Sequence, residues 1–143
     1  SVSYCLQKPV IFGESVRENL EFPYKIRSLP CDENRMKDLL TYFHLESLDL
    51  EKNPQTLSGG EAQRISLIRS ILIQPEVLLL DEVTASLDRK NQEVVLRAVD
   101  QLNKEGMTIV EVTHDLNRED LKSRRHLGMV DGRIDFLREG VMN

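Results

Sequence analysis

Four apolar residues in a row, Val77-Leu78-Leu79-Leu80, stop abruptly at two acids, Asp81 and Glu82. A strand with one wet face alternates apolar and polar residues, whereas a continuous run is the pattern of a strand covered on both faces of a parallel sheet. Met107 to Thr113 reads as a second buried strand. Between the two, residues 89–104 place Val94, Val95, Ala98, Val99 and Leu102 on one helical face, with Gly106 at the C-terminal end. Strand, helix, strand predicts an α/β layer.

The rest of the chain is fitted around that layer. Ser1 to Leu6 alternates, with Val2, Tyr4 and Leu6 on one face, and predicts a short strand ending near Gln7. Residues 8–31, punctuated by Pro9, Gly13, Pro23 and Pro30, are expected to be irregular. Met36, Leu39, Leu40 and Phe43 have the spacing of an amphipathic helix over 32–44. A turn at Asn53-Pro54 leads to Ser58, and Glu61 three residues later completes a capping box. That box opens a helix expected to run to about Ile73, where Pro75 stops it. A short helix is expected near 115–122. Leu127–Val130 and Arg133–Leu137 predict a hairpin, because Asp131-Gly132 supplies the positive φ angles of a type I′ turn. The expected organisation is one domain over 1–143, with a mainly helical segment, 8–74, set between 1–7 and 75–143 of the α/β core.

Composition narrows the function. With 143 residues the chain suits one domain, and a net charge of -5 argues against nucleic acid, which normally selects a basic patch. No apolar run is long enough to span a bilayer, so a membrane role requires a partner. Cys5 and Cys31 are too few and too isolated for a disulfide framework or zinc site, and two free thiols suit the cytoplasm.

Three stretches carry candidate chemistry. In Leu57-Ser58-Gly59-Gly60-Glu61-Ala62-Gln63-Arg64, two glycines at a helix start leave backbone N–H groups open to an anion favoured by the helix dipole. The plainer alternative is an ordinary capped helix start. Asp81 and Glu82 lie at the carboxyl end of a buried strand, where open α/β folds bind ligands. There Asp81 suits Mg²⁺ and Glu82 suits a general base, or both acids simply end the strand in solvent. His114 follows the second buried strand and would lie on the same edge, although a lone histidine is more often a surface or capping residue.

Taken together, Gln7, Ser58 to Glu61, Asp81-Glu82, Ala85-Ser86-Leu87-Asp88 and His114 stand in the order found in ABC ATPases. The chain resembles that family across nearly its whole length. The resemblance implies a partial P-loop NTPase (RecA-like) parallel sheet carrying an inserted helical subdomain, with ATP and Mg²⁺ as cofactors. It implies that Gln7 senses Mg²⁺ and the attacking water, that Asp81 serves the metal, and that Glu82 is the base. It further implies that His114 contacts the γ-phosphate and that Asp88 belongs to a loop crossing a dimer interface. Ser58, Gly59, Gly60 and Glu61 would form a signature that binds the γ-phosphate held by a second ATP-binding subunit. The other implied partner is a membrane-spanning permease subunit, with no nucleic acid, at the cytoplasmic face of the cell membrane.

Departures from the family pattern are few. Glu61 stands where glutamine is common, and Ala85-Ser86 inverts the commoner Ser-Ala order. None of the seven glycines belongs to a G-x-x-x-x-G-K-[ST] loop, which family members carry upstream of the glutamine. The expectation is therefore a truncated subunit, inactive alone, whose uncovered strands favour self-association. Soluble ABC ATPases of DNA repair or translation, or a non-catalytic interaction fragment, are the alternatives. Gln7 and Ser58 are 51 positions apart, which suits a compact helical subdomain and not a long coiled coil. The stretch Val2 to Pro9, then Phe12-Gly13-Glu14-Ser15-Val16 and Asn19-Leu20, resembles Fet-type (YbbL-like) bacterial subunits of iron export.

Overall fold

A computed structural model describes residues 1–114 and 125–138. The helix expected near 115–122 lies outside the described residues. The chain divides into two compact units, Ser1–Val112 and Thr113–Asn143.

The first unit is built on a three-stranded parallel sheet in the order β1 (Val2–Cys5), β2 (Val77–Asp81), β3 (Thr108–Val112). Its register pairs Cys5 with Leu80 and Asp81 with Val112. Four helices accompany it: α1 (Val16–Lys25), α2 (Glu33–Tyr42), α3 (Gly59–Ile71) and α4 (Arg89–Lys104). An α/β fold is thus observed.

Cover of the sheet is one-sided. Cys5, Leu78 and Leu80 are each at most 1% exposed and point into the core with Val95, Ala98, Val99 and Leu102 of α4. Each fully buried aliphatic side chain contributes about 1.5–3 kcal/mol. The face that alternates in the sequence, Val2, Tyr4 and Leu6, is the open one, and Val110 and Val112 are half exposed. The continuous apolar runs are therefore covered on one face and not on both.

α3 runs through the middle of the core. Ile65, Leu67, Ile68 and Ile71 are fully buried, and Gln63 and Ser66 are buried with them, so the helix is covered on more than its apolar side. Its last carbonyls are capped from other elements: Arg35 of α2 donates to the carbonyls of Ile71 (3.1 Å) and Leu72 (3.0 Å), and Tyr24 of α1 also reaches Leu72. Asn53 caps a short 3-10 turn over Pro54–Thr56 ahead of it.

Helix α1 replaces the irregular stretch expected over 8–31. Ser15 caps it by accepting from the Glu18 N–H, and Val16, Leu20 and Tyr24 line its buried face. Pro23 lies within the last turn, where a proline removes only one hydrogen bond near a fraying end. The cue was Ser15-x-x-Glu18, a helix-start pattern followed by apolar residues at intervals of four.

In the second unit β4 (His126–Val130) and β5 (Arg133–Arg138) form the expected hairpin. Asp131 and Gly132 have φ of 48° and 74°, as the type I′ turn requires. The ladder slips between Gly128 and Met129, and the Phe136 ring fills the space beside Gly128 where a side chain would stand.

Candidate functional site

The sequence-predicted residues of the first unit fall into two groups. Gln7, Asp81 and Glu82 form the first, because β1 and β2 run parallel with Cys5 level with Leu80, so all three follow at the carboxyl edge. Ser58 to Glu61 and Asp88 form the second, at the starts of α3 and α4.

At the sheet edge, Tyr4 donates from its hydroxyl to the Asp81 carboxylate at 2.8 Å. Tyr4 pairs with Leu79, so it lies diagonal to Asp81 on the same face, within reach of a long side chain. The hydrogen bond to Asp81 raises the tyrosine pKa above its ordinary value, with desolvation and the carboxylate charge adding to it. Sequence reasoning did not single out Tyr4, because the contact depends on the register of two strands 77 positions apart.

Glu82 is the first residue past β2, and its backbone is left-handed, with φ of 46°. Its N–H donates to the Val112 carbonyl at 3.0 Å, and its own carbonyl accepts from the Ala85 N–H at 3.0 Å. The strand thus ends at a left-handed residue that leads directly into a tight turn over Glu82 to Ala85. Non-glycine residues in such sparsely populated conformations cost of order 1 kcal/mol and cluster at functional sites.

The second group is organised by helix caps. Ser58 is the N-cap of α3, and its hydroxyl accepts from the Glu61 N–H at 3.1 Å. One half of the expected capping box is therefore formed. The reciprocal bond from the Ser58 N–H to the Glu61 carboxylate is absent among the described residues. Ser58 and Gly59 are exposed, and nothing lies within 4 Å of where a Gly59 side chain would begin. The first N–H groups of a helix have no intrahelical acceptor, so this end offers open donors and a positive dipole end. That surface fits a phosphate group.

Asp88 caps α4, its Oδ1 accepting from the Asn91 N–H (2.8 Å) and side-chain amide (2.9 Å). Gln92 fixes the preceding loop by donating to the carbonyls of Thr84 (3.1 Å) and Leu87 (3.0 Å). The Asn91 side chain in turn packs on Gly60, which joins the two helix starts. Arg64 lies behind them and donates to the carbonyls of Gly60 (3.1 Å) and Phe43 (2.9 Å). Burial lowers the Arg64 pKa, and the charges of Glu61 and Asp88 oppose that shift. Asn91, Gln92 and Arg64 were not singled out from sequence; helix spacing from Asp88 and Gly60 was the available cue.

His114 stands two residues past β3, exposed, and belongs to the second unit. Among the described residues no three His, Cys, Asp or Glu side chains gather as a metal cluster. A magnesium ion held by one carboxylate and by phosphate oxygens requires no such cluster, and Asp81, half-buried at the sheet edge, fits that arrangement. No helix among the described residues is long and apolar enough to cross a membrane.

Comparison with known proteins points the same way as the motif order. A family model described as ABC transporter matches residues 1–85. The chain is 44% identical over 115 residues to the "Probable iron export ATP-binding protein FetA" of Escherichia coli K12, covering 80% of this chain and 51% of that protein. It is 36% identical over 145 residues to the "Energy-coupling factor transporter ATP-binding protein EcfA" of Methanocaldococcus jannaschii, covering 99% of this chain and 51% of the relative. It is 34% identical over 126 residues to the "Cell division ATP-binding protein FtsE" of Escherichia coli K12, covering 87% of this chain and 57% of the relative. The chain spans about half the length of the curated relatives it matches. A parallel sheet whose strand ends carry the acids, a glycine-rich helix start and a family match over more than half the residues lead to one assignment: the chain belongs to the ABC transporter family.

Proposed function

We propose that this chain is part of an ATP-binding subunit that hydrolyses ATP with Mg²⁺ and couples the reaction to transport through a membrane-spanning permease. The observation that carries the proposal is the pairing of two features: Asp81 and the left-handed Glu82 at the end of β2, and the open, capped start of α3. Phosphoryl transfer needs little covalent chemistry from a protein, so positioning and electrostatics carry the catalysis.

In this reading the residues have the following work. Asp81 presents a carboxylate to the metal, oriented by the Tyr4 hydroxyl. Glu82, at the end of β2, accepts a proton from the attacking water, and Gln7 contributes a polar contact to that water. The N–H groups of Gly59 and Gly60, with the Ser58 hydroxyl, face a phosphate bound by a second ATP-binding subunit. Asp88 and its loop lie at the border with that subunit. When bound, the metal neutralises charge on the phosphate oxygens. The location that follows is the cytoplasmic face of the membrane, and no nucleic acid is required.

Iron export is proposed as the transport activity, on the likeness to a relative named for it. The test is Glu82→Gln in the intact subunit. ATP binding should persist while hydrolysis falls by at least about a hundredfold, a general-base effect, and ATP should then trap a dimer. Turnover near the wild-type rate would refute the role of Glu82. Iron efflux from cells that express the subunit with its permease, unchanged on deletion of either, would refute the cargo.

A further inference from the structure

The loop that carries Gln7 is gripped at both ends by one helix. At its start, Gln63 of α3 donates from Nε2 to the Leu6 carbonyl at 3.3 Å, across 57 positions of sequence. Further along the same helix, Arg69 donates from Nη2 to the Val10 carbonyl at 2.7 Å and from Nη1 to Asn19 Oδ1 at 3.0 Å. Its guanidinium also lies 5.1 Å from the centre of the Phe12 ring. Asn19 is 0% exposed and closes the grip from α1, accepting from the Phe12 N–H and donating to the Phe12 carbonyl at 2.8 Å. Gln63 and Arg69 stand about 9 Å apart along the helix axis, so two points of the loop are fixed to one rigid element.

Gln63 is an odd residue on stability grounds. It is 1% exposed, yet its Oε1 has no hydrogen-bond donor among the described residues. A buried acceptor left in that state is costly, and an apolar side chain of similar volume would avoid the cost. What the amide secures instead is the carbonyl of Leu6, one residue before Gln7.

We propose that Gln63, assisted by Arg69, is a positioning residue for Gln7. By anchoring Leu6 and Val10 to α3, it ties the placement of Gln7 at the sheet edge to the helix whose first turn is Ser58-Gly59-Gly60. The two groups of site residues then share one mechanical element. A shift of α3 when its N-terminus meets a phosphate is transmitted to Gln7 through these bonds. The inference rests on the reading of Gln7 and of the α3 start as parts of an ATP site.

Two substitutions in the intact subunit test it. Gln63→Met keeps the volume and removes the donor. Gln63→Glu makes the donor pH-dependent: burial raises the carboxyl pKa, the protonated form donates to Leu6 as the amide does, and the ionised form sets a charge against a carbonyl. The expected result for Gln63→Met is a loss of kcat of about tenfold, equivalent to about 1.4 kcal/mol of transition-state positioning, with KM for ATP within about twofold. Gln63→Glu should approach the wild-type kcat at low pH and lose it as pH rises through the raised carboxyl pKa, a step absent from the wild-type profile. Amide exchange at Gln7 and Lys8 should quicken in Gln63→Met while Ile65 to Ile71 stay protected.

A Gln63→Met kcat within about twofold of wild type, or a Gln63→Glu profile parallel to the wild-type one, would overturn the proposal. An intact wild-type subunit that fails to hydrolyse ATP would instead refute the ATPase reading. The exchange measurement then decides the tether alone: faster exchange at Gln7 supports it, and unchanged exchange overturns it.

Discussion

Asn91 occupies the space that a side chain on Gly60 would need. A Cβ at Gly60 would come within 2.8 Å of the Asn91 amide, which is itself held by Asp88 at 2.9 Å. The two glycines of the motif are therefore unlike each other, since Gly59 faces open space. Gly60→Ala should push Asn91 off Asp88 and destabilise the chain by about 1 kcal/mol, the worth of one such bond. Gly59→Ala should leave stability unchanged or raise it, because alanine favours helix. Thermal unfolding of the two variants checks this, and in an Asn91→Ala background Gly60→Ala should cost little further, because the bond it displaces is already gone.

Because Glu82 has a left-handed φ, its substitution should separate stability from the proposed activity. Glycine adopts that conformation without strain, so Glu82→Gly should stabilise the fold by up to about 1 kcal/mol while hydrolysis in the intact subunit is lost. Urea unfolding beside an ATPase assay measures both. A variant that is less stable by more than about 1 kcal/mol would show that the Glu82 side chain supports the fold, contrary to the strain argument.

Tyr4, Tyr24 and Tyr42 all have raised pKa values, Tyr4 through its bond to Asp81 and the other two through burial. A folded pKa above the unfolded one stabilises the protein fully below the unfolded value and less as pH rises through the folded value. The contribution should therefore be intact at neutral pH and vanish in the alkaline range above about pH 10. Tyrosinate absorbance of the folded chain should rise at higher pH than in denaturant. Asp81→Asn should move one third of that signal back toward the ordinary value.

Ser58→Arg should block the α3 start with a large side chain and reduce hydrolysis at a site shared between subunits. In a mixed dimer of one mutant and one wild-type subunit, the site that uses the partner's phosphate loop should fail while the other persists. A defect confined to the mutant subunit's own loop would contradict the two-subunit arrangement.

The 143-residue chain by itself should show no magnesium-dependent ATP hydrolysis, because no G-x-x-x-x-G-K-[ST] segment lies within it to fix a triphosphate beside Asp81 and Glu82. Turnover by the purified chain that disappears in Glu82→Gln would reverse this expectation.

Local chemistry explains which elements were legible in the sequence. α2, α3 and α4 were legible because Asp32, Ser58 and Asp88 cap helices whose apolar residues recur at three and four. α1 was hidden by Pro23, whose position in the final turn makes it harmless. Ser58, Gly60, Asp81 and Glu82 stood out as residue types at strand and helix ends. Tyr4, Gln63 and Asn91 did not, since each acquires its meaning from a partner on another element. The open face of the sheet was equally illegible, because a run of apolar residues states how much cover a strand prefers and not which side receives it.

The burial of Cys5 beneath α3 turns the chain's two thiols into a chemical clock and its control. Cys5 is 1% exposed, and burial pushes its thiol pKa up against the opposing hydrogen bonds of Ser66 and Ser70 on α3. An alkylating reagent reaches that sulfur only when α3 lifts from the strand, so its rate of capture times the opening of the core. Cys31, ahead of α2, is only half-buried and reacts without that event. The ratio of the two rates reads the fraction of time for which the α3–β1 contact is open, with no probe engineered into the protein.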